Sequence, residues 1–387
     1  MSHPVPGTTL GVVGGGQLGR MLGEAATPLG VSVIVSDPTP DCPASPAVTD
    51  QIVGTFDDEQ TIQTLAENSD ILTYEIELAD PDVLERVSNR TDTPVQPHPE
   101  TLRMIQDKLI QKQTLQDAGI PVPAFRAVES AEEVRDAVAE VGPVMLKARM
   151  GGYDGRGNVP VHSQAEADEA FAEIDGPAMV EQWASFDCEL AVIGCCGDGE
   201  RATFPVTETI HEEEILRATV SPARIDDATR TRARTVAQDV LSVLSGRGVY
   251  GIELFAVDGE ILVNEIAPRP HNSGHWTIEG CHTSQFEQHI RAVLGLPLGT
   301  TAQRAPTVSA NILGDGDSRR KASIKGVAKL LSRERLAMHW YGKREVYPLR
   351  KMGHFTVVGE KEMDTDSLTD ENLLTEAMDA VGELSFD

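Results

Sequence analysis

Basic residues are scarce in this chain of 387 residues. The sequence holds 33 lysines and arginines, nine of them lysines, against 61 aspartates and glutamates, for a formal net charge of −28. Proteins that bind nucleic acid non-specifically need a basic surface, and the same holds for anionic membrane surfaces. The composition therefore argues against both kinds of partner.

Long hydrophobic runs and paired cysteine motifs are also missing. No stretch reaches the roughly 18 apolar residues of a membrane-spanning helix, and the first residues lack the basic-then-apolar order of a signal peptide. The five cysteines form no C-x-x-C pair and no Cys/His zinc spacing. An odd number of cysteines without a secretory signal predicts reduced thiols in the cytoplasm.

The acidic residues are spread along the chain in short clusters such as 57–59 and 212–214. Distributed acid with little lysine favours a protein from a salt-rich cytoplasm, where counter-ions screen self-repulsion; an ordinary acidic enzyme is the alternative. The chain is 40% hydrophobic, which is typical of globular proteins, and its length predicts two or three domains. An anionic ligand would need a local cluster of cations, so we expect a positive cleft in an acidic surface.

The chain opens on a predicted βαβ unit. A β-rich run over 8–13 ends in a G-x-G-x-x-G turn at Gly14, Gly16 and Gly19, and a helix is predicted over 19–29. Backbone amides at a helix N-terminus can bind an anion. Asp37 ends the next strand where a dinucleotide-binding domain would hold a ribose, although an aspartate before proline is also an ordinary turn former.

Glu75 ends another predicted strand, over 70–75, at the edge where open α/β sheets bind ligands. The opening unit therefore fits NAD or FAD. It fits equally a phosphorylated metabolite whose phosphate lies on the glycine turn, with Glu75 near the rest of the ligand. A plain surface carboxylate is the alternative for Glu75.

The middle of the chain carries features of a nucleotide site. A proline-rich linker over 94–99 precedes a predicted helix over 99–118 with Lys108 and Lys112, and Lys147 lies on a predicted strand just before a glycine-rich loop over 151–157. A lysine on a strand beside such a loop indicates phosphate binding, although no P-loop sequence occurs. A solvent-reaching lysine and a mobile hairpin are the alternatives.

Two glutamates interrupt apolar strands on either side of Asp258-Gly259, a hairpin signal. A two-residue loop would pair Glu253 with Asn264, whereas a three-residue loop would pair Glu253 with Glu265. Opposed carboxylates repel unless a cation lies between them, and hard oxygen ligands near phosphates are typical of Mg²⁺ sites. The alternative is that one glutamate points to solvent.

A dense polar loop follows over 267–277. Its arginine, histidines, asparagine and hydroxyl residues can hold a small anion beside the metal. His271 and His275 have the spacing of two zinc ligands on a helix, but Gly274 and the prolines oppose that helix.

These motifs together resemble the ATP-grasp carboxylate–amine ligases. Within them, the chain is most similar to the family of ATP-dependent 5-(carboxyamino)imidazole ribonucleotide synthetases of purine biosynthesis. The resemblance rests on GGGQLGRM over 14–21, GGYDGRG over 151–157, NEIAPRPHNSGHWT over 264–277 and RKMGH over 350–354, and it covers nearly the whole chain.

The resemblance implies a role for each matching residue. For ATP it implies Lys108, Lys147, Gly152, Tyr153, Asp154, Gly155, Arg156, Gly157, Asn158, Glu181, Gln182, Trp183, Ala184, Glu189, His211, Asn264 and Glu265. For two Mg²⁺ it implies Glu253 and Glu265, and for bicarbonate and catalysis Arg269, His271 and Asn272. For the ribotide it implies Gln17, Leu18, Glu75, Tyr153, Arg350 and Lys351.

The implied reaction uses ATP to phosphorylate bicarbonate, and the resulting carboxyphosphate carboxylates the exocyclic amine of 5-aminoimidazole ribonucleotide. The implied architecture is α/β and α+β: a Rossmann-like pre-ATP-grasp domain over 1–97, an ATP-grasp domain over 98–303 with a lid over about 120–183, and a small β-rich domain over 304–387. A cytoplasmic homodimer without membrane or nucleic-acid partners is also implied.

The sequence departs from the family pattern at three positions. Tyr347 and Leu349 stand where the family usually has Arg and Gly, and Thr209 stands where it usually has Asn. These departures bear on ribotide-phosphate binding and on His211. Alternatives to the reaction are a formate-dependent glycinamide ribonucleotide transformylase or another ATP-grasp ligase, a nicotinamide-dependent oxidoreductase, and a non-catalytic sensor.

Overall fold

The computed structural model describes residues 3–151, 157–174, 176–360 and 370–387. The chain starts with a parallel sheet in the order β3-β2-β1-β4, with β1 buried at its centre. Its elements are β1 Thr9–Val13, α1 Gln17–Ala26, β2 Ser32–Asp37, β3 Asp50–Val53, α2 Glu59–Glu67, β4 Ile71–Tyr74 and α3 Pro81–Thr91. Because parallel strands end at one edge, the glycine turn after β1 and Glu75 after β4 lie side by side.

Two short helices follow the linker where the sequence predicted one helix. They are α4 Pro99–Gln106 and α5 Lys108–Asp117. The helix is interrupted at Asp107, which has extended backbone angles and whose side chain accepts from the amides of Leu109 and Ile110. Asp107 is thus the N-cap of α5, and it places Lys108 at the first helical position.

A separate four-stranded antiparallel sheet, in the order β5-β8-β6-β7, carries the next part of the chain. Its elements are β5 Phe125–Val128, α6 Ala131–Val141, β6 Val144–Ala148, β7 Asn158–Val161, α7 Ala167–Glu173 and β8 Ala178–Gln182. The two helices cover one face and form a core of their own with the strands, including Val134, Leu146 and Val161. We call this unit the lid sheet.

The central part of the chain builds a large antiparallel sheet. Its elements are β9 Cys188–Cys196, β10 Arg201–Thr203, β11 Thr207–Glu212, β12 Ile215–Ser221, α8 Asp227–Val243, β13 Gly248–Val257, β14 Glu260–Ala267, α9 Thr277–Gly280 and α10 Gln285–Val293. Helix α8 packs on β9, β13 and β14 over a core that includes Leu241, Ile252 and Val263.

The C-terminal segment adds its main strands to the same sheet. Its elements are β15 Thr307–Leu313, β16 Arg320–Lys321, β17 Ile324–Lys325, α11 Val327–Leu330, β18 Leu336–Trp340, β19 Glu345–Val346, β20 Lys351–Val358, α12 Asp370–Gly382 and β21 Ser385–Phe386. Among the described strands, the order is β14-β13-β9-β11-β12-β15-β20-β18, with β10 beside β9. Because β15 pairs with β12, for example Ala310 with Ala218, the sheet is continuous between the central and C-terminal segments.

No helix in the described ranges is both long enough and apolar enough to cross a membrane.

Candidate active site

The two hairpin glutamates face each other across β13 and β14. Val257 pairs with Glu260, so the loop is the two-residue Asp258-Gly259, and Leu254 pairs with Val263. A β-bulge then displaces Asn264, and Glu253 pairs with Glu265. The pairing of Glu253 with Asn264, the alternative for a two-residue loop, does not occur. The pairing expected from a longer loop occurs, but its cause is the bulge.

The carboxylate pair has the charge environment of a cation site. Burial, and next the charge of Glu265, raise the pKa of Glu253 to about 6. Loss of solvent also acts to raise the pKa of Glu265, but the charges of Lys108 and Lys147 lower it overall. Lys108 Nζ lies 3.0 Å from Glu265 Oε1, and Asn264 Nδ2 donates to Glu253 Oε2 at 3.4 Å. The carboxylate oxygens of Glu253 and Glu265 are hard ligands of the kind that Mg²⁺ prefers.

Lysines and glutamates alternate between the hairpin and the lid sheet. Lys147 Nζ on β6 lies 2.6 Å from Glu181 Oε2 on β8 and donates to Asn264 Oδ1 at 3.4 Å. The other oxygen of Glu181 lies 3.1 Å from Lys112 Nζ. Burial would raise the pKa of Glu181, but the two lysines lower it to about 2. Glu181, which the resemblance assigns to ATP, thus has its carboxylate between two lysines.

The sequence predicted a positive cleft, but the cations of the site are paired with carboxylates. Lys108 pairs with Glu265, Lys147 pairs with Glu181, and Arg269 NH2 lies 2.8 Å from Glu77 Oε1. Cations held together out of water need carboxylate partners, so the site is a balanced network instead of a plain basic patch.

Other residues that the resemblance assigns to ATP lie at the end of β8 and on strands β9 and β11. Gln182 and Trp183 are exposed, Ala184 is partly exposed, and Trp183 packs on the ring of His162. His211 on β11 pairs with Glu189 on β9, and although burial lowers the pKa of His211, Glu189 raises it overall.

An aromatic pair beside this region escaped the sequence analysis. Phe186 and Phe255 stack with ring centroids 4.8 Å apart, and Phe255 lies two residues after Glu253 on β13. Because side chains alternate along a strand, Phe255 and Glu253 lie on the same face of β13. This alternation is the sequence signal that could have placed Phe255 near the site.

Only part of the glycine-rich loop is described. Gly152, Tyr153, Asp154, Gly155 and Arg156 lie outside the described residues. At the end of the loop, Gly157 accepts a hydrogen bond from the amide of Ala148, and Asn158 pairs in register with Lys147. The described residues on either side of the loop therefore lie beside Lys147.

The polar loop over 267–277 lies against the hairpin. His271 Nε2 lies 3.6 Å from Glu253 Oε1, and its Nδ1 lies 2.9 Å from the hydroxyl of Ser273. Gln285, wholly buried on α10, holds this loop by accepting from the amide of His271 at 2.9 Å and donating to its carbonyl at 2.7 Å. Sequence reasoning missed Gln285 and Glu77, because neither belongs to a local motif.

The side-chain amide of Asn272 is a buried hydrogen-bond donor. Its Nδ2 is buried without a hydrogen-bond partner among the described residues. A buried donor of this kind costs free energy unless a ligand satisfies it, so the loop suits a small oxyanion.

The side chain of His275 belongs to the buried core. It is fully buried, its Nδ1 accepts from Gln285 Nε2 at 3.1 Å, and its ring packs against that of His354. Burial lowers its pKa well below the usual value. Residues 272–274 form a single 3₁₀ turn instead of the α-helix that zinc spacing would need.

The opening turn is already occupied by carboxylates of the chain. Gly15 N donates to Asp37 Oδ2 at 3.0 Å, and Gly16 N donates to Glu75 Oε1 at 2.6 Å. Asp37 also accepts from the amide of Thr39 at 2.8 Å. Asp37 is thus a turn former, so the dinucleotide interpretation does not hold. The interpretation of a phosphate on this turn fails for the same reason, because Glu75 takes the anion position.

Burial makes the carboxyl group of Glu75 a weaker acid than usual. It raises the pKa of Glu75 to about 7, against the amide of Gly16 and the charge of Arg269, which lower it. Gln17 starts α1 next to this carboxylate, whereas the side chain of Leu18 is buried in the N-terminal core. Leu18 can therefore reach a ligand only through its backbone.

The C-terminal basic residues separate in space. Lys351 lies close enough to Glu253 and His211 for its charge to oppose the overall rise in the pKa of each, which burial causes at Glu253 and the charge of Glu189 causes at His211. Arg350 instead stacks on Tyr347, 4.9 Å from the ring centroid, with Arg319 at 5.0 Å from the same ring. Leu349, at the family glycine position, has a left-handed φ of 62°. Thr209 is buried and pairs in register with Glu189.

Three domain families match consecutive parts of the chain. They are the ribonucleotide synthetase preATP-grasp domain over 7–106, the ATP-grasp domain over 113–286 and the phosphoribosylaminoimidazole carboxylase C-terminal domain over 307–367. The N5-carboxyaminoimidazole ribonucleotide synthase of Bacillus subtilis is 39% identical over 361 residues, which are 92% of this chain and 93% of that protein. The chain belongs to the N5-carboxyaminoimidazole ribonucleotide synthase family.

Solved members of this synthase family share the whole fold. The Thermotoga maritima synthetase has a TM-score of 0.86 at 40% identity, and the alignment covers 98% of this chain and 99% of that one. The Aspergillus clavatus synthase, solved with ADP and 5-aminoimidazole ribonucleotide, has a TM-score of 0.88 at 34% identity, covering 97% and 99%. The fold predicted from the motifs, an ATP-grasp fold with a pre-ATP-grasp domain and a C-terminal domain, is thereby confirmed.

Proposed function

We propose that this chain carboxylates the exocyclic amine of 5-aminoimidazole ribonucleotide, using ATP and bicarbonate, to form N5-carboxyaminoimidazole ribonucleotide, ADP and phosphate. The observation that carries the proposal is the bulged hairpin that sets Glu253 opposite Glu265, beside Lys108 and next to the loop of His271. It lies in a chain that belongs to the synthase family along most of its length.

The hairpin fits Mg²⁺, in our proposal two ions. Within the described ranges, no group of three or more histidine, cysteine or acidic side chains is suited to a metal. Two carboxylates are enough for Mg²⁺, which commonly completes its shell with water and substrate phosphates. Glu253 and Glu265 would hold the ions, which neutralise charge on the transferring phosphoryl group. Asn264 would orient Glu253 through its amide.

The nucleotide would lie between the lid sheet and the hairpin. Lys108 and Lys147 would contact its phosphates, together with the loop over 152–158, His211 and Asn264. The segment of Glu181, Gln182, Trp183 and Ala184 would border the adenine, and Glu189 would bind the ribose. The lysines lie 3.0 and 2.6 Å from carboxylates of the site, so they are already oriented towards its centre.

Bicarbonate would bind at Arg269, His271 and Asn272. A bicarbonate oxygen attacks the γ-phosphorus of ATP, the bond to the β–γ bridging oxygen breaks, and carboxyphosphate and ADP form. Arg269 would stabilise the charge of the phosphoryl oxygens. Carboxyphosphate hydrolyses readily, so water must be excluded, and the loop over 151–157 is the candidate for that closure.

The ribotide would take the side of the cleft formed by Gln17, Leu18, Glu75, Tyr153, Arg350 and Lys351. Its amine attacks the carboxyl carbon, phosphate leaves, and the amine proton passes to that phosphate. Glu75 would position the amine, since its carboxyl is buried beside the turn that starts α1.

Several finer assignments belong to the same proposal. They are domain boundaries near residues 97 and 303, a homodimer, a cytoplasmic location and a salt-rich host. The five cysteines are unpaired, which suits a reducing compartment, and the family resemblance supports the homodimer.

The decisive experiment is an ADP-release assay with Mg-ATP, bicarbonate and 5-aminoimidazole ribonucleotide in high-salt buffer. ADP release should need bicarbonate and rise with the ribotide. Release that needs formate instead would assign a transformylase, and no stimulation by the ribotide would contradict the proposal.

Glu265→Gln tests the proposed metal carboxylate. Removing one of the paired charges should lower ADP formation by at least 100-fold, because the substitution weakens cation binding while keeping the side-chain shape. Circular dichroism should show an unchanged fold. Glu260→Gln, at the exposed end of the same hairpin, is the matched control and should keep wild-type turnover. Turnover of Glu265→Gln within twofold of wild type would remove the metal assignment.

A further inference from the structure

Lys112 is a buried charged residue to which no role has yet been given. It lies on α5 one turn after Lys108, and only 1% of its surface is exposed. An ammonium group is costly to bury unless it is paired and hydrogen-bonded. The contacts of its ammonium group therefore indicate the role of this lysine.

The ammonium of Lys112 contacts two separate parts of the site. It donates to the carbonyl of Val263 at 2.8 Å, and it lies 3.1 Å from Glu181 Oε1. Val263 is the last regularly paired residue before the bulge at Asn264. Glu181 is on the lid sheet, and its other oxygen holds Lys147 at 2.6 Å. One side chain thus touches both the metal hairpin and the partner of a phosphate lysine.

The charges around Lys112 support this connection. Burial lowers its pKa to about 8, with Lys147 and Lys108 acting in the same direction and Glu181 opposing them. Without Lys112, the nearly inaccessible carboxylate of Glu181 would keep one lysine instead of two. Glu181 would then be less firmly oriented towards Lys147, and the carbonyl of Val263 would lose its hydrogen-bond donor.

We propose that Lys112 is a positioning residue that holds the bulge before Asn264 and, through Glu181, the ammonium of Lys147, so that the metal and phosphate subsites keep one geometry. This inference rests on the proposed function, because it assumes that Lys147 and the hairpin carboxylates bind Mg-nucleotide. We assign Lys112 no contact of its own with substrate or metal, because only 1% of its surface is exposed.

Three substitutions separate the two contacts. Lys112→Met keeps the length of the stem and removes both contacts. Lys112→Gln retains a donor for the Val263 carbonyl but cannot form the ion pair with Glu181. Lys112→Arg keeps the charge. Lys329→Met is the matched control, since the side chain of Lys329 is 72% exposed on the C-terminal segment.

Binding of ADP is measured by calorimetry over a series of Mg²⁺ concentrations, below the unfolding temperature of each variant. We expect Lys112→Met to weaken ADP binding about tenfold or more and to raise the half-saturating Mg²⁺ concentration about tenfold, in the range typical of residues that support metal ligands. Lys112→Gln should weaken ADP binding with a smaller change in Mg²⁺ dependence. Lys112→Arg should recover most of the affinity, and Lys329→Met should match wild type.

A buried residue with only a structural role would lower the unfolding temperature and leave the Mg²⁺ dependence of the folded protein unchanged. ADP and Mg²⁺ affinities of Lys112→Met within twofold of wild type would therefore overturn the inference. If that variant does not fold, the ADP affinity of Lys112→Gln decides by the same criterion. The assay contains no bicarbonate and no ribotide, so failure of the proposed reaction would appear in wild-type turnover and not in these ratios.

Discussion

The carboxylate of Glu75 lies where the opening glycine turn would otherwise receive an anionic ligand. It accepts from Gly16 at 2.6 Å and is almost fully buried. The glycines of the turn permit this approach, since a Cβ at Gly14 would come within 2.6 Å of Glu75 Cγ. A turn whose sequence is typical of dinucleotide sites thus binds a carboxylate of the same chain.

The first prediction concerns the pH dependence that Glu75 confers. Its pKa is about 7 in the folded chain, against an ordinary 4.5. Between these values the unfolded chain loses the proton and the folded chain keeps it, so this residue makes the protein less stable as pH rises. Glu75→Gln removes the penalty, so stability relative to wild type should increase from pH 5 to pH 8 by on the order of 2 kcal/mol.

Urea unfolding followed by circular dichroism at the two pH values measures this difference. Glu67→Gln is the control, because Glu67 is exposed on α2 and should show no comparable pH-dependent gain. Equal pH dependence of Glu75→Gln and wild type would show that Glu75 titrates normally.

The interruption between α4 and α5 matters at the scale of elements. Asp107 ends one helix and caps the next, and it also pairs with Arg149 beside the glycine-rich loop. Lys108 is consequently the first residue of α5, and its own amide donates to the carbonyl of Arg149. The cap therefore fixes Lys108 at the first position of α5.

Replacing the cap should affect both stability and nucleotide binding. Asp107→Ala removes the side-chain acceptor for Leu109 and Ile110, which should cost about 1 kcal/mol and weaken ATP binding through Lys108. Asp107→Asn keeps a capping group but loses the charge facing Arg149. The difference between the two variants in urea unfolding and in KM for ATP isolates the cap, and no difference would contradict this role.

The net charge of −28 acts at the scale of the whole molecule. Ligands of the proposed reaction are all anions, so the acidic excess cannot serve their attraction. The cations are concentrated instead: of nine lysines, Lys108, Lys112, Lys147 and Lys351 lie at or near the carboxylates of the site. The remaining acidic surface repels itself, which destabilises the compact state.

Salt should therefore stabilise the protein. Raising KCl from 0.1 to 1 M shortens the Debye length from about 10 to about 3 Å, and the unfolding temperature should rise by several degrees because self-repulsion is screened. Sucrose at matched water activity is the control for general solute effects and should produce a smaller rise. A salt-independent unfolding temperature would argue against a salt-rich host.

Local sequence predicted the hairpin loop at Asp258-Gly259 and most of the polar loop, because turn residues and motifs act over short distances. It could not predict the bulge at Asn264, which has no local turn signal and follows Val263, whose carbonyl accepts from Lys112, 151 residues earlier. The same limit applies to the carboxylate of Glu181, whose lysine partners come from two other elements. Pairing of β12 with β15 joins distant segments and likewise has no local signal.

The continuous sheet has a mechanical consequence. The hairpin β13–β14 and the strand β20 that starts with Lys351 belong to one sheet, so moving one against the other would break backbone hydrogen bonds between strands. Among the described strands, those of the lid sheet pair only with one another and have a core of their own. Glu253, Glu265 and Lys351 are therefore held on one sheet, whereas Lys147 and Glu181 are held on another and can change position together relative to it.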